Sequence, residues 1–213
     1  MLNRVSAQMR RLTRGAVVLA FAGLLAGCAA DAQLDDEPPF DLGDFSLGHN
    51  IVVAEGMQQG PFSRQATPDE VQAALSKAIT ERLGRYDGDK LYHIGLKVDA
   101  YALAMPGVPV VFTPKSLLVV SANIWDDAAG KKLTDEPQLL TVFEGPSGST
   151  LVGSGLTRNK AAQLEILSAN MAKRVERWLL ENGEWFGIDP SRIPEPLDDD
   201  PLASLGGSET TAK

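Results

Sequence analysis

The chain predicts an α+β fold, a two-layer sandwich in the order β-α-β-β-β-α, with a four-stranded, mainly antiparallel sheet and two helices on one face. Two segments place apolar residues three and four positions apart, the period of a helix with one buried side. Between them lie three stretches of period-two alternation, and a short β-branched run precedes the first helix. The material suffices for such a core: 213 residues, 44% hydrophobic and 23% charged, which suits one domain or at most two small ones.

The elements follow in chain order. Ile51-Val52-Val53 is a short strand. The first helix starts at Thr67-Pro68-Asp69-Glu70, where threonine caps free amide donors, proline suits the first turn, and Glu70 completes a capping box. Val71, Leu75, Ile79 and Leu83 then share one side, and Gly84 stops the helix. Ile94, Leu96, Val98 and Ala100 alternate against His93, Lys97, Asp99 and Tyr101 in the next strand. Ser116–Trp125 is the following strand, and after the Asp126–Gly130 turn Leu133–Phe143 is another, broken near Pro137. The second helix runs from about Thr157 to Glu181, with the stripe Leu164, Leu167, Met171, Val175 and Trp178, and ends at Asn182-Gly183. The first two strands, joined through a helix, are expected to be parallel with a right-handed crossover.

Both flanks differ in composition from this middle. Ala29–Leu47 holds six acids, two prolines and no basic residue, and the stretch after Phe186 holds Pro190, Pro194, Pro196, Asp198-Asp199-Asp200 and a Gly/Ser/Thr tail. Such segments bury too little apolar surface to offset their ordering entropy. The expected organisation is therefore residues 1–27 as a signal peptide, 28–49 as an acidic flexible tether, 50–187 as the α+β domain, and 188–213 as a disordered acidic tail.

The first 27 residues have the tripartite form of an export signal: Arg4, Arg10, Arg11 and Arg14, then the apolar run Gly15–Ala26, then small residues. The apolar run is shorter than the roughly 20 residues a spanning helix needs. Leu25-Ala26-Gly27-Cys28 resembles the lipobox of bacterial lipoproteins. That resemblance implies diacylglycerol on the Cys28 thiol, cleavage before Cys28 and acylation of the new amino group. Several acyl chains make such an anchor stable, since each buried methylene adds about 0.8 kcal/mol. In these families an aspartate directly after the cysteine favours the inner membrane. Here Ala29 and Ala30 follow, which favours the outer membrane and a periplasmic aspect. Arg10-Arg11 fits the twin-arginine pattern only in part, so general secretion is the expected route.

Four of the 20 basic residues precede Cys28, leaving 16 against 28 acids, a balance of −12. Nucleic acid is an improbable partner for that charge. The single cysteine permits no internal disulfide.

Chemistry is sparse. His49 and His93, the only histidines, have no metal-ligand spacing, and the one thiol is assigned to lipid, so no metal or cofactor is expected. Gly145-Pro146-Ser147-Gly148-Ser149 lacks the order of a nucleophile elbow and reads as a loop. Gly153-Ser154-Gly155 lacks a third glycine and a phosphate-binding lysine, so a plain helix cap is the simpler reading. Asp87-Gly88-Asp89 and Asp126-Asp127 are turn residues without the ligand series of a calcium loop.

One stretch departs from an ordinary domain. Residues 102–112, Ala-Leu-Ala-Met-Pro-Gly-Val-Pro-Val-Val-Phe, have no polar side chain, although connections normally run over the surface. Either they fold back as core over the second sheet face or they form an exposed patch, with Met105, Val108, Val110, Val111 and Phe112 as the candidate interaction surface. The strand after them is apolar on both sides, Leu117, Val119 and Trp125 opposite Leu118, Val120 and Ile124, while two helices cover one face only. The expected function is a membrane-anchored, non-enzymatic envelope module that binds another protein. A carrier or sensor of an apolar or lipid ligand is the alternative, and a hydrolase without histidine or cysteine chemistry the third reading.

Overall fold

The computed structural model of the chain describes residues 39–105, 116–144 and 159–194. Cys28 and its lipobox, and the candidate positions Val108, Val110, Val111 and Phe112, lie outside the described residues; Met105 lies within them and is exposed. Among the described residues no helix is long and apolar enough to cross a membrane.

The architecture is α+β, as the periodicity predicts. Four strands form the body of the sheet: β1 (Phe45–Val53), β3 (Lys90–Ala102), β4 (Leu117–Asp126) and β6 (Gln138–Phe143). Two-residue strands, β2 (Gln58–Gln59) and β5 (Lys131–Lys132), extend its edges. β1 and β2 pair parallel with β3, β3 pairs antiparallel with β4, and β5 and β6 both pair antiparallel with β4. Helices α1 (Pro68–Leu83) and α2 (Lys160–Glu181) pack against each other, α1 on β1 and α2 on β6 and β4.

The local signals explain where the helices begin. Thr67 Oγ1 accepts the Glu70 N–H, Glu70 Oε2 accepts the Thr67 N–H at 2.9 Å, and Pro68 occupies the first turn. Asn159 caps α2 through the Ala162 N–H at 2.8 Å, so this helix begins at Lys160, three residues later than its apolar period suggests. Leu75, Ile79, Leu167, Met171 and Val175 are all fully buried against Ile94, Leu96, Val98, Val120 and Ile124. Each such aliphatic side chain contributes about 1.5–3 kcal/mol by leaving water.

Three features differ from the sequence expectation. Strand β1 begins at Phe45, not Ile51, and Leu42 and Phe45 are buried, so the folded unit starts within the stretch 28–49 that composition marks as tether. The reason is tertiary: Phe45 stacks on Tyr92 with centroids 5.7 Å apart and meets Phe186 edge-on at 5.2 Å. The C-terminal boundary moves likewise. Ile188 is buried, Pro190–Arg192 forms a short 3-10 turn, and Arg192 Nη2 reaches Asp41 Oδ2 at 2.6 Å. The two boundary segments bond directly, Asp44 N–H to Phe186 O at 3.0 Å, beside Gly43, where a Cβ would lie 2.5 Å from that oxygen.

The third difference is a bulge. The β3–β4 register shifts between Val98 and Ala100, which puts Ala100 opposite Val119 and Tyr101 opposite buried Leu118. Strict alternation places Ala100 in the core and Tyr101 outside; one extra residue exchanges them. Tyr101 is buried, and its hydroxyl accepts the Ala66 N–H (3.1 Å) and donates to Ala66 O (3.2 Å).

Candidate binding face

Because both helices lie on one side, the other face of the sheet depends on its own side chains. Cross-strand register lines them up in rows. Val53, Lys97, Ser121 and Leu139 form one row across β1, β3, β4 and β6, and Ile51, Gly95 and Asn123 form the adjacent one. Ile51, Val53, Trp125 and Leu139 are exposed, Ile51 at 59% and Leu139 at 54%. This is the second apolar face that the alternation of Leu117, Val119 and Trp125 implies. Whether residues 106–112 cover it concerns positions outside the described residues.

A shallow groove of about 500 Å³ crosses this face, with Ile51 and Val53 on one wall and Trp125 on the other. Its floor is Gly95. A Cβ there would stand 2.8 Å from Trp125 Cζ3, so the absence of a side chain lets the indole lie down across β3.

The groove has one polar end. His49 stacks on His93 with ring centroids 4.7 Å apart. His93 Nδ1 accepts the His49 backbone N–H at 2.9 Å, and His93 Nε2 lies 2.9 Å from Asp127 Oδ1. An accepting Nδ1 places the ring proton on Nε2, directed at Asp127. Both nitrogens are thus engaged in holding β1, β3 and the β4 turn together, and the imidazole has no nitrogen left to act as a base. Sequence spacing gave no hint of this, since His49 and His93 meet only through β1–β3 pairing. Among the described residues no group of three or more His, Cys, Asp or Glu side chains is placed to hold a metal ion. Asp126 caps its own turn through the Ala129 N–H at 2.9 Å.

A second polar cluster lies on the opposite side, between the helices. Glu176 is fully withdrawn from solvent. Its Oε2 accepts from Arg82 Nε at 2.6 Å, and its Oε1 from Arg85 Nη2 at 2.7 Å and the Tyr86 hydroxyl at 2.6 Å. Burial pushes the Tyr86 phenol well above its ordinary value, reinforced by its bond to the Glu176 carboxylate. For Arg85 burial acts downward, and the bond to Glu176 together with that carboxylate's charge outweighs it, so its value lies above the ordinary one. With Arg82 and Glu176 nearly inaccessible, the cluster joins α1 to α2.

No protein-family model matches the chain, and no curated protein matches it in sequence. Among solved structures it is similar to a Xanthomonas campestris protein of the family of unknown function DUF330, at 11% identity and TM-score 0.41, covering 68% of this chain and 88% of that one. It is also similar to a protein of Caulobacter crescentus described as a candidate lipoprotein, at 13% identity and TM-score 0.37, covering 68% and 92%. A minor lipoprotein of Acinetobacter baumannii matches at 16% identity and TM-score 0.31, covering 67% and 92%. These are distant likenesses, and they transfer no residue or activity to this chain.

Proposed function

We propose that the protein is a lipid-anchored lipoprotein of the bacterial cell envelope, held by lipid on Cys28, whose domain binds another protein without catalysing a reaction. The observation that carries this reading is the sheet face away from the helices, on which Ile51, Val53, Trp125 and Leu139 are exposed among the described residues. Clustered apolar side chains on one face mark an interface more often than isolated ones do. The lipobox supports the anchor, and Ala29-Ala30 after the cysteine supports the outer membrane, facing the periplasm.

The experiment is photo-crosslinking in cells from a probe at Trp125 on the face and, separately, at Val108 in the apolar connection. A discrete adduct identified by mass spectrometry is expected from at least one position. Crosslinks confined to the chain itself at both positions would reject the reading.

The groove over Gly95 supports a second reading, a carrier of an apolar ligand such as a lipid tail. Native mass spectrometry of the purified protein checks it: a co-purifying lipid lost on Trp125→Glu supports a carrier, and unliganded protein opposes one.

A further inference from the structure

We infer that His93 is a pH-operated catch on β1. With Nδ1 unprotonated it pins the strand at His49; a second ring proton releases it and loosens the β1 wall of the groove. The catch is made by contacts within the sheet, so it goes beyond the protein-binding reading and holds whichever molecule occupies the face.

The strand depends on His93 at one point. β1 follows β3 in parallel register from Phe45 opposite Lys90 to Leu47 opposite Tyr92, and again from Asn50 opposite Ile94 to Val53 opposite Lys97. Between Leu47 and Asn50 the register shifts. At that break the His49 backbone N–H donates to a side chain, His93 Nδ1, at 2.9 Å. Gly48 lets the ring come so close, since a Cβ there would lie 2.5 Å from the same nitrogen. An imidazole thus takes the place of a main-chain acceptor, and unlike a carbonyl it loses its lone pair on protonation.

The ring's other contact decides where that proton goes. Nε2 lies 2.9 Å from Asp127 Oδ1 and carries the first ring proton, so a second enters at Nδ1. An imidazolium donates from both nitrogens and accepts at neither. Two N–H groups cannot face each other at hydrogen-bonding distance, so the His49 amide and the ring must part. Imidazole is the side chain whose charge ordinarily changes between about pH 5 and 8, and the His93 side chain, 23% exposed, is open to water.

The surrounding charges set which side gives way. The Asp127 carboxylate touches the ring and attracts the imidazolium, as does Asp126 at the same end of the groove. A charged His49 ring, stacked at 4.7 Å, and Lys132 of β5, on the same face opposite Trp125, repel it. Leu91 and Gly95, the β3 neighbours on that face, carry no charge. The contact with Asp127 strengthens as the one with β1 fails, so the ring stays with the β4 turn and β1 is set free. His49 and Ile51 line the groove there, and their release moves the wall that faces Trp125.

The test is nuclear magnetic resonance on the full chain in detergent from about pH 8 to pH 5, with ring nitrogen shifts reporting the protonation of His93. Corrected for its intrinsic rate, exchange of the His49 amide is expected to quicken at least about tenfold as the ring takes its second proton. The Ile51 methyl signals should shift with the same midpoint. His93→Asn keeps an acceptor oxygen at the δ position without a titration, and should hold the amide protected throughout. His49→Phe keeps a ring over His93 and removes the other titration, and the release should persist. An amide that opens equally in His93→Asn, or stays protected when His93 is doubly protonated, would overturn the catch. Loss of the release in His49→Phe would overturn it too, assigning the opening to repulsion between two charged rings. A motionless Ile51 methyl would overturn the link to the groove. A partner crosslinked in cells while the His49 amide never opens would reject the catch and leave the protein-binding reading standing.

Discussion

The Arg82 guanidinium of α1 meets the Glu176 carboxylate of α2 at 2.6 Å, both side chains out of solvent and 94 residues apart in the chain. Glu176 also receives Arg85 and the Tyr86 hydroxyl, so one carboxylate ties together the end of α1, the loop after it and the middle of α2.

Removing one member of such a buried pair leaves the other charged and unsolvated. Glu176→Ala is therefore expected to cost about 3–5 kcal/mol in urea unfolding. The double substitution Arg82→Met/Glu176→Leu should be less destabilised than Glu176→Ala alone. A loss below about 1 kcal/mol for Glu176→Ala would mean that the cluster is hydrated and does not hold the helices together.

The aromatic contact of Phe45 makes residues before Asn50 part of the fold. Phe45→Ala is expected to cost about 3–5 kcal/mol, because it empties a site enclosed by Tyr92, Tyr86 and Phe186. Circular dichroism during thermal unfolding measures it, and an unchanged midpoint would return residues 45–49 to the tether.

Three carboxylates are held below their ordinary values. The Gly43 amide and Arg192 do so for Asp41, Lys160 and the Thr67 amide for Glu70, and the Ser191 hydroxyl and amide for Asp189. Because the folded values are the lower ones, the unfolded chain takes up protons first as pH falls. The stability they contribute is complete above their ordinary values, 3.8 for aspartate and 4.5 for glutamate, and is lost as pH drops through the folded values. The midpoint difference between the natural chain and Lys160→Met should be constant above about pH 5 and shrink below it as Glu70 protonates. A difference independent of pH would show that Lys160 acts through packing.

For the anchor, Cys28→Ser is expected to abolish labelling by a clickable fatty acid and to release the protein from the membrane fraction. Retention at the membrane in that variant would refute lipid on Cys28.

Periodicity and capping chemistry were sufficient for the helices and the order of strands, because both are local. A Thr-Pro-Asp-Glu start, a four-residue apolar repeat and a Pro137 break act within a turn or two of themselves. The apolar character of the second face was also legible, as two-sided apolarity in β4 with helices enough for one face only. Three things needed the folded chain. Acids dominate the composition around Phe45, and only contact with Phe186, 141 positions later, makes that strand core. The bulge at Asp99 exchanges Ala100 and Tyr101 between faces, and no alternating pattern announces where its own phase slips. Glu176 has the composition of a surface position. Its burial depends on three donors from α1 and the loop after it, distant in sequence, so the energy that puts it inside exists only after α1 and α2 have met.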